Sequence, residues 1–115
     1  YEIHERLVGS EMCIRDRQNP STDFNSNFWL STVLIDPKTG KDPESLRQFM
    51  LDAGVETRRL WRPMHMQPVF ADAPYYGGTT CETLFDRGLC LPSGSGLKEE
   101  ELRYVADKIK EFFNK

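Results

Sequence analysis

A small α/β layer, a few-stranded sheet with helices packed on it, is the fold class this chain predicts, and three observations carry it. Residues 28–35 are apolar on both parities, with Trp29, Val33 and Ile35 on one face and Phe28, Leu30 and Leu34 on the other. That is the pattern of a strand covered on two sides. Two segments repeat apolar residues at the spacing of a helix face: Leu46, Phe49, Met50 and Ala53, then Leu102, Val105, Ala106, Ile109, Phe112 and Phe113. Between them Pro63, Pro68 and Pro74 interrupt residues 61–74 and exclude a regular helix. The elements so marked run strand, helix, strand, loop, short helix, strand, helix.

The opening segment differs from the rest. Residues 1–17 show no sustained strand or helix period and no caps. Glu11, Met12, Cys13, Ile14, Arg15 and Asp16 resemble the conceptual translation of a transposase adapter used in making sequencing libraries. Residues 1–17 are therefore read as a non-native artefact, with a linker or frayed helix as the alternative, and few contacts with the folded body are expected of them. His4 and Cys13 carry no function on that reading.

After the first strand, residues 36–41 form a turn cluster, Asp42 caps a helix whose first position is Pro43, and Gly54 stands where a glycine ends it. Residues 55–60 resume a strand-like mix, and residues 61–74 make a long loop of fixed path, the kind that carries function. Residues 75–80 turn. A short helix over residues 82–87 ends at Gly88, residues 89–91 form a short buried strand, and residues 92–96 turn again. The last helix starts at Glu99 with three glutamates in its positive first turn. Because both faces of the first strand are apolar and few helices are available, part of the apolar surface needs another domain, so the chain is expected to be incomplete.

At 115 residues the chain has room for one domain. A hydrophobic fraction of 38%, a charged fraction of 29% and a formal charge of -3 exclude the disordered and membrane classes and favour no polyanion, so neither nucleic acid nor membrane is an expected partner. Every apolar run falls far short of the roughly 20 residues that span a bilayer. No basic, apolar leader opens the chain, which leaves the cytoplasm as the expected location. Cys13, Cys81 and Cys90 are odd in number and lack the close pairing of a zinc site, so no metal is expected. Cys81 and Cys90 are read as small, buried or half-buried hydrophobes. Gly94 and Gly96 are turn residues rather than a phosphate cradle.

Three blocks carry a resemblance when taken in order. Asn27, Phe28, Trp29 and Leu30 open the first strand. Gly54, Val55, Glu56, Thr57, Arg58 and Arg59 lead into Trp61, Arg62, Pro63, Met64 and His65. Arg87, Gly88, Leu89, Cys90, Leu91, Pro92 and Ser93 precede a helix start at residues 98–101. From Asn27 onward the chain resembles the small C-terminal domain of the DegT/DnrJ/EryC1/StrS family of pyridoxal-phosphate-dependent nucleotide-sugar aminotransferases, enzymes of fold type I. The third block is most similar to perosamine-synthase and bacillosamine-type members. The resemblance implies that residues 18–115 are that domain, a fragment of an enzyme of polysaccharide biosynthesis. That enzyme transfers an amino group, from glutamate, to a nucleotide-linked keto sugar, and is a homodimer when full length.

In that family the Schiff-base lysine and the acidic partner of the pyridine nitrogen lie in the large N-terminal domain. The resemblance thus implies that this chain holds no catalytic and no cofactor-binding residue and is inactive alone. Lys38, Lys41, Lys98, Lys108, Lys110 and Lys115 are read as surface lysines. Lys98 stands where relatives often place a capping threonine or serine, a loss of about 1 kcal/mol.

Pro63 and Pro68 stiffen the loop and hold Trp61 and His65 with little freedom. A rigid aromatic face suits a sugar ring or base, and His65 can donate to a hydroxyl or phosphate oxygen. The resemblance places this loop beside the sugar nucleotide, so Trp61 and His65 are expected to face substrate. The plainer reading packs Trp61 in a domain interface and leaves His65 to tie the loop. Arg58 and Arg59 are adjacent on an extended segment and point oppositely, so at most one reaches a pocket, to meet a phosphate or the amino donor's carboxylate. A solvated or ion-paired arginine is the commoner outcome, for Arg62 also. A non-catalytic binding or regulatory protein on the same fold is the alternative function, and a free-standing interaction module is a third. A lysine in the family's upstream cofactor block separates the first two.

Overall fold

The structure, a computed structural model, describes residues 14–17 (as backbone), 23 and 29–115. Four strands, β1 (Ile14–Arg17), β2 (Ser31–Ile35), β3 (Arg58–Arg59) and β4 (Gly88–Leu91), make one sheet in the order β1-β2-β4-β3, antiparallel throughout. Among the described residues three helices accompany it: α1 (Pro43–Asp52), α2 (Thr80–Arg87) and α3 (Glu99–Asn114). From β2 onward the elements follow the expected order. Asn27 and Phe28 lie outside the described residues.

Local chemistry sets the helix ends. The Asp42 carboxylate accepts from the Ser45 N–H at 2.9 Å while the Ser45 hydroxyl oxygen accepts from the Asp42 N–H at 3.4 Å, a reciprocal cap ahead of Pro43. Gly54 takes φ 80 just past the end of α1, the left-handed conformation that favours glycine. At α3 the Lys98 side chain offers no cap, as expected, but Glu101 Oε2 accepts the Lys98 N–H at 2.7 Å and supplies half of one. Lys41 is no plain surface lysine. Its Nζ donates to the Phe112 carbonyl at 2.5 Å and lies 4.4 Å from the Phe112 ring centre, closing the last turn of α3.

The core joins one face of the sheet to α1 and α3. Val33, Ile35, Leu89 and Leu91 meet Leu46 and Met50 of α1 and Leu102, Val105, Ala106, Ile109 and Phe112 of α3. Tyr104 of α3 also donates to the Ala53 carbonyl at 2.8 Å. Along β2 Ser31, Val33 and Ile35 are buried while Thr32 and Leu34 are half-buried. Two-sided cover is therefore only partial: two helices back one parity, and on the other side the short α2 is too small to complete the layer.

Gly88 ends α2 as expected, but as an extended C-cap, φ −91 and ψ 145, that also opens β4. A Cβ there would lie 1.9 Å from Leu60 Cδ1 and 2.5 Å from the Leu84 carbonyl oxygen. Glycine is needed for close approach, with helix and strand joined without a loop.

The few contacts expected of residues 1–17 are corrected for four of them. β1 pairs with β2, Ile14 opposite Ile35 and Arg15 opposite Leu34, with an irregularity before Arg17. Ladder bonds use backbone groups alone, so the edge of β2 can accept a strand that has no amphipathic stripe. Ile3 and Leu7, on which the same expectation rests, lie outside the described residues. Among the described residues no helix is long and apolar enough to cross a membrane.

Gly88→Ala is expected to destabilise the chain by about 1–3 kcal/mol, because Leu60 can move but the Leu84 backbone cannot easily do so. Urea unfolding followed by circular dichroism checks this, and an unchanged midpoint would contradict the close approach.

Candidate functional site

The loop after β3 keeps its path through two single turns of 3₁₀ helix, Met64–Met66 and Pro68–Phe70. Each follows or begins with a proline, whose fixed φ suits a tight turn. Pro63 is buried and anchors the first turn. The Gln67 side chain donates back to the Arg62 carbonyl at 3.1 Å.

His65 is held from two directions. Its Nε2 donates to Glu82 Oε1 of α2 at 2.6 Å, and its face lies on the Tyr75 ring, centroids 3.9 Å apart at 31°. Tyr75 in turn donates its hydroxyl to the Gly78 carbonyl and sits 3.8 Å from Cys81 Sγ. The bond to Cys81, then lost hydration, then the nearby negative charge of Cys81 and Glu82 push the Tyr75 phenol above its ordinary range. It therefore remains a protonated donor at neutral pH.

These residues open onto a pocket of about 390 Å³, walled by Pro63, Met64, His65, Phe70, Pro74 and Tyr75. The size and the apolar walls with few polar groups suit a small ligand such as a sugar ring. Cys81 also lines it and is exposed, not buried as expected, because α2 turns that side toward the open loop.

The structure separates the other expected site residues. Trp61 does not wall the pocket. It is 69% exposed and tilts against Trp29, 71% exposed, with centroids 6.3 Å apart. Arg58 is exposed and donates from Nη2 to Glu56 Oε1 at 2.8 Å. Arg59, pointing the other way, donates from Nη2 to the Phe85 carbonyl at 2.6 Å, sits 4.9 Å from the Phe85 ring and reaches Glu44 at 4.0 Å. Its buried Nε has no partner among the described residues. Arg62 lies over the same Phe85 ring at 5.2 Å. Arg59 is thus a tie between the sheet edge and two helices.

Glu82 and Tyr75 were not singled out from sequence. They stand 17 and 10 residues beyond His65, across a loop whose path no periodicity reports. A glutamate just after a functional loop, in the first turn of a short helix, is the only hint available.

Pyridoxal phosphate needs a lysine for its aldehyde, a cradle for its phosphate and an acid for its ring nitrogen. No lysine lines the pocket. Lys41 is engaged with Phe112, Lys108 and Lys115 with Glu111, Lys38 and Lys98 are exposed, and Lys110 is half-buried on α3. The residues present do not fit the cofactor. Among the described residues no group of three His, Cys, Asp or Glu side chains could hold a metal ion.

Over residues 4–110 the chain matches the DegT/DnrJ/EryC1/StrS aminotransferase family. It is 40% identical over 93 residues to EpsN of Bacillus subtilis (strain 168), named for pyridoxal phosphate-dependent aminotransferase activity, covering 77% of this chain and 24% of that protein. It is 31% identical over 113 residues to GDP-perosamine synthase of Escherichia coli O157:H7, covering 98% of this chain and 29% of that one. In structure it is similar to DesI, crystallised in the presence of its TDP-sugar product, with a TM-score of 0.77 at 22% identity over 99% of this chain and 30% of that one. The chain thus spans under a third of the length of these relatives.

Thiol labelling at neutral pH should separate the two described cysteines. Cys81 is exposed, whereas Cys90 is buried and desolvation pushes its thiol above the ordinary range. Peptide mapping after a short alkylation is expected to find Cys81 modified and Cys90 modified only in denaturant. Equal labelling of both in the native chain would contradict the packing of β4.

Proposed function

The chain belongs to the DegT/DnrJ/EryC1/StrS aminotransferase family, and on that premise we propose that it is the small C-terminal domain of a pyridoxal-phosphate-dependent aminotransferase. The parent passes an amino group, from glutamate, to a nucleotide-linked keto sugar, as a cytoplasmic homodimer. The match over residues 4–110 carries this reading. A relative named GDP-perosamine synthase and the sugar-nucleotide product named with DesI support the substrate class. The cofactor belongs to the part of the parent outside this chain, in keeping with where the lysines lie.

Within this domain His65 faces the sugar from the pocket wall, and Trp61 offers an exposed aromatic face beside it. Of the two arginines, Arg58 is the better placed to meet a phosphate or carboxylate, since an exposed pair with Glu56 is easily exchanged. Arg59 reaches substrate only if it leaves the Phe85 carbonyl. The domain proper is residues 18–115, and residues 1–17 are non-native or a linker. The family match from residue 4 and the pairing of β1 with β2 favour the linker over the artefact. Coding sequence that continues upstream of Gln18 with no adapter junction would overturn the boundary.

In the full-length parent His65→Ala is expected to lower kcat/KM for GDP- or TDP-linked 4-keto sugars by roughly five- to a hundredfold, from a lost hydrogen bond of about 1–3 kcal/mol. The cofactor spectrum should not change. Kinetics within about twofold of the parent, together with a lower melting temperature, would make His65 a structural tie. A second expectation concerns the 115-residue chain alone: with added pyridoxal phosphate it should show no borohydride-reducible absorbance mapping to one lysine. A single labelled lysine would refute the placement of the cofactor in the missing part.

A further inference from the structure

The contact between His65 and Glu82 joins two separate elements, the loop after β3 and the first turn of α2, and it does more than tie them. A carboxylate only accepts, so the 2.6 Å contact requires the proton on His65 Nε2. In the imidazole form whose one proton is this Nε2 proton, Nδ1 keeps a lone pair, and the ring's hydrogen bond among the described residues is the one to Glu82. The Tyr75 ring lies against the imidazole face, centroids 3.9 Å apart, and opposes a flip that would put Cε1 in place of Nε2 and Cδ2 in place of Nδ1. Edge and face are both fixed, by residues from different segments.

Resting on the reading of His65 as substrate-facing, we infer that Glu82 is a positioning residue that makes His65 a hydrogen-bond acceptor, through Nδ1, for a hydroxyl of the sugar. The carboxylate charge beside the pocket points the same way. It disfavours a phosphate at this spot and leaves a neutral, proton-donating hydroxyl as the fitting group. The apolar walls and the Tyr75 ring suit the C–H face of the same sugar. His65 thus reads the ring of the substrate, and its nucleotide phosphates lie elsewhere.

The test uses the full-length parent with the sugar nucleotide it turns over, and the variants Glu82→Ala, Glu82→Gln, His65→Ala and the double Ala variant. Glu82→Ala is expected to lower kcat/KM for the sugar nucleotide about tenfold through lost orientation, with KM for the amino donor unchanged. Glu82→Gln keeps an acceptor oxygen at the same reach and should retain most activity. The double variant should be no worse than His65→Ala within about twofold, since Glu82 acts only through the ring. In nitrogen-15 spectra of the parent, His65 should carry its proton on Nε2 and none on Nδ1. Losses that multiply in the double variant, or a protonated Nδ1, would overturn the inference. A Glu82→Ala enzyme at parent level beside an impaired His65→Ala would overturn it while leaving the substrate reading intact. If His65→Ala itself is at parent level, the substrate reading fails and this inference falls with it.

Discussion

Where α2 runs directly into β4, the Cα of Gly88 leaves no room for a methyl group, with Leu60 on one side and the Leu84 carbonyl on the other. The residues involved show how much depends on it. Gly88 begins a strand between β2 and β3, Leu60 is the last residue before the loop, and Leu84 lies in α2. Their close approach draws the start of the loop against the helix. The contact between Glu82 and His65 joins the same helix and loop that this approach brings together. The site therefore sits beside one packing constraint in which a side chain was given up to let three elements touch.

The same geometry explains the uneven cover of the sheet. α1 and α3 bury one face completely, through Leu46, Met50, Ile109 and their neighbours. The eight-residue α2 leaves Leu34 half-covered and leaves Trp29, Trp61, Val69 and Tyr76 largely exposed. Exposed apolar groups in such number usually mark a surface meant to be covered. On the proposed reading the remainder of the parent supplies that cover, since the chain spans only 24% and 29% of the two sequence relatives.

The arginines illustrate what spacing can and cannot report. That Arg58 and Arg59 point oppositely follows from backbone geometry and is seen, with Arg58 opposite Cys90 and Arg59 opposite Leu89. Which of them is engaged did not follow. Phe85, 26 residues beyond Arg59, provides both the carbonyl and the ring that hold it. Trp61 and His65 were legible as a rigid pair across Pro63, yet the structure puts one on the pocket wall and the other against Trp29. The 3₁₀ turn Met64–Met66, which contains His65 itself, turns the backbone in a way that composition does not encode.

What the sequence by itself determined is whatever depends on neighbours a few positions away. The helix stripe through Leu46 and Met50, the Asp42 cap with Pro43 behind it, the glycine past α1 and the apolar face of α3 all follow from such local rules, as does the order of elements from β2 onward. The three blocks that carry the family resemblance are local in the same sense. Only the tertiary structure decided the rest: the antiparallel sheet order, the close approach at Gly88, and the His65, Tyr75 and Glu82 cluster. These arise mostly from groups distant in sequence, from His65 and Tyr75 to Ser31 and Leu91 across the sheet, whose meeting depends on how a loop without periodicity folds back and on the space the packed elements leave.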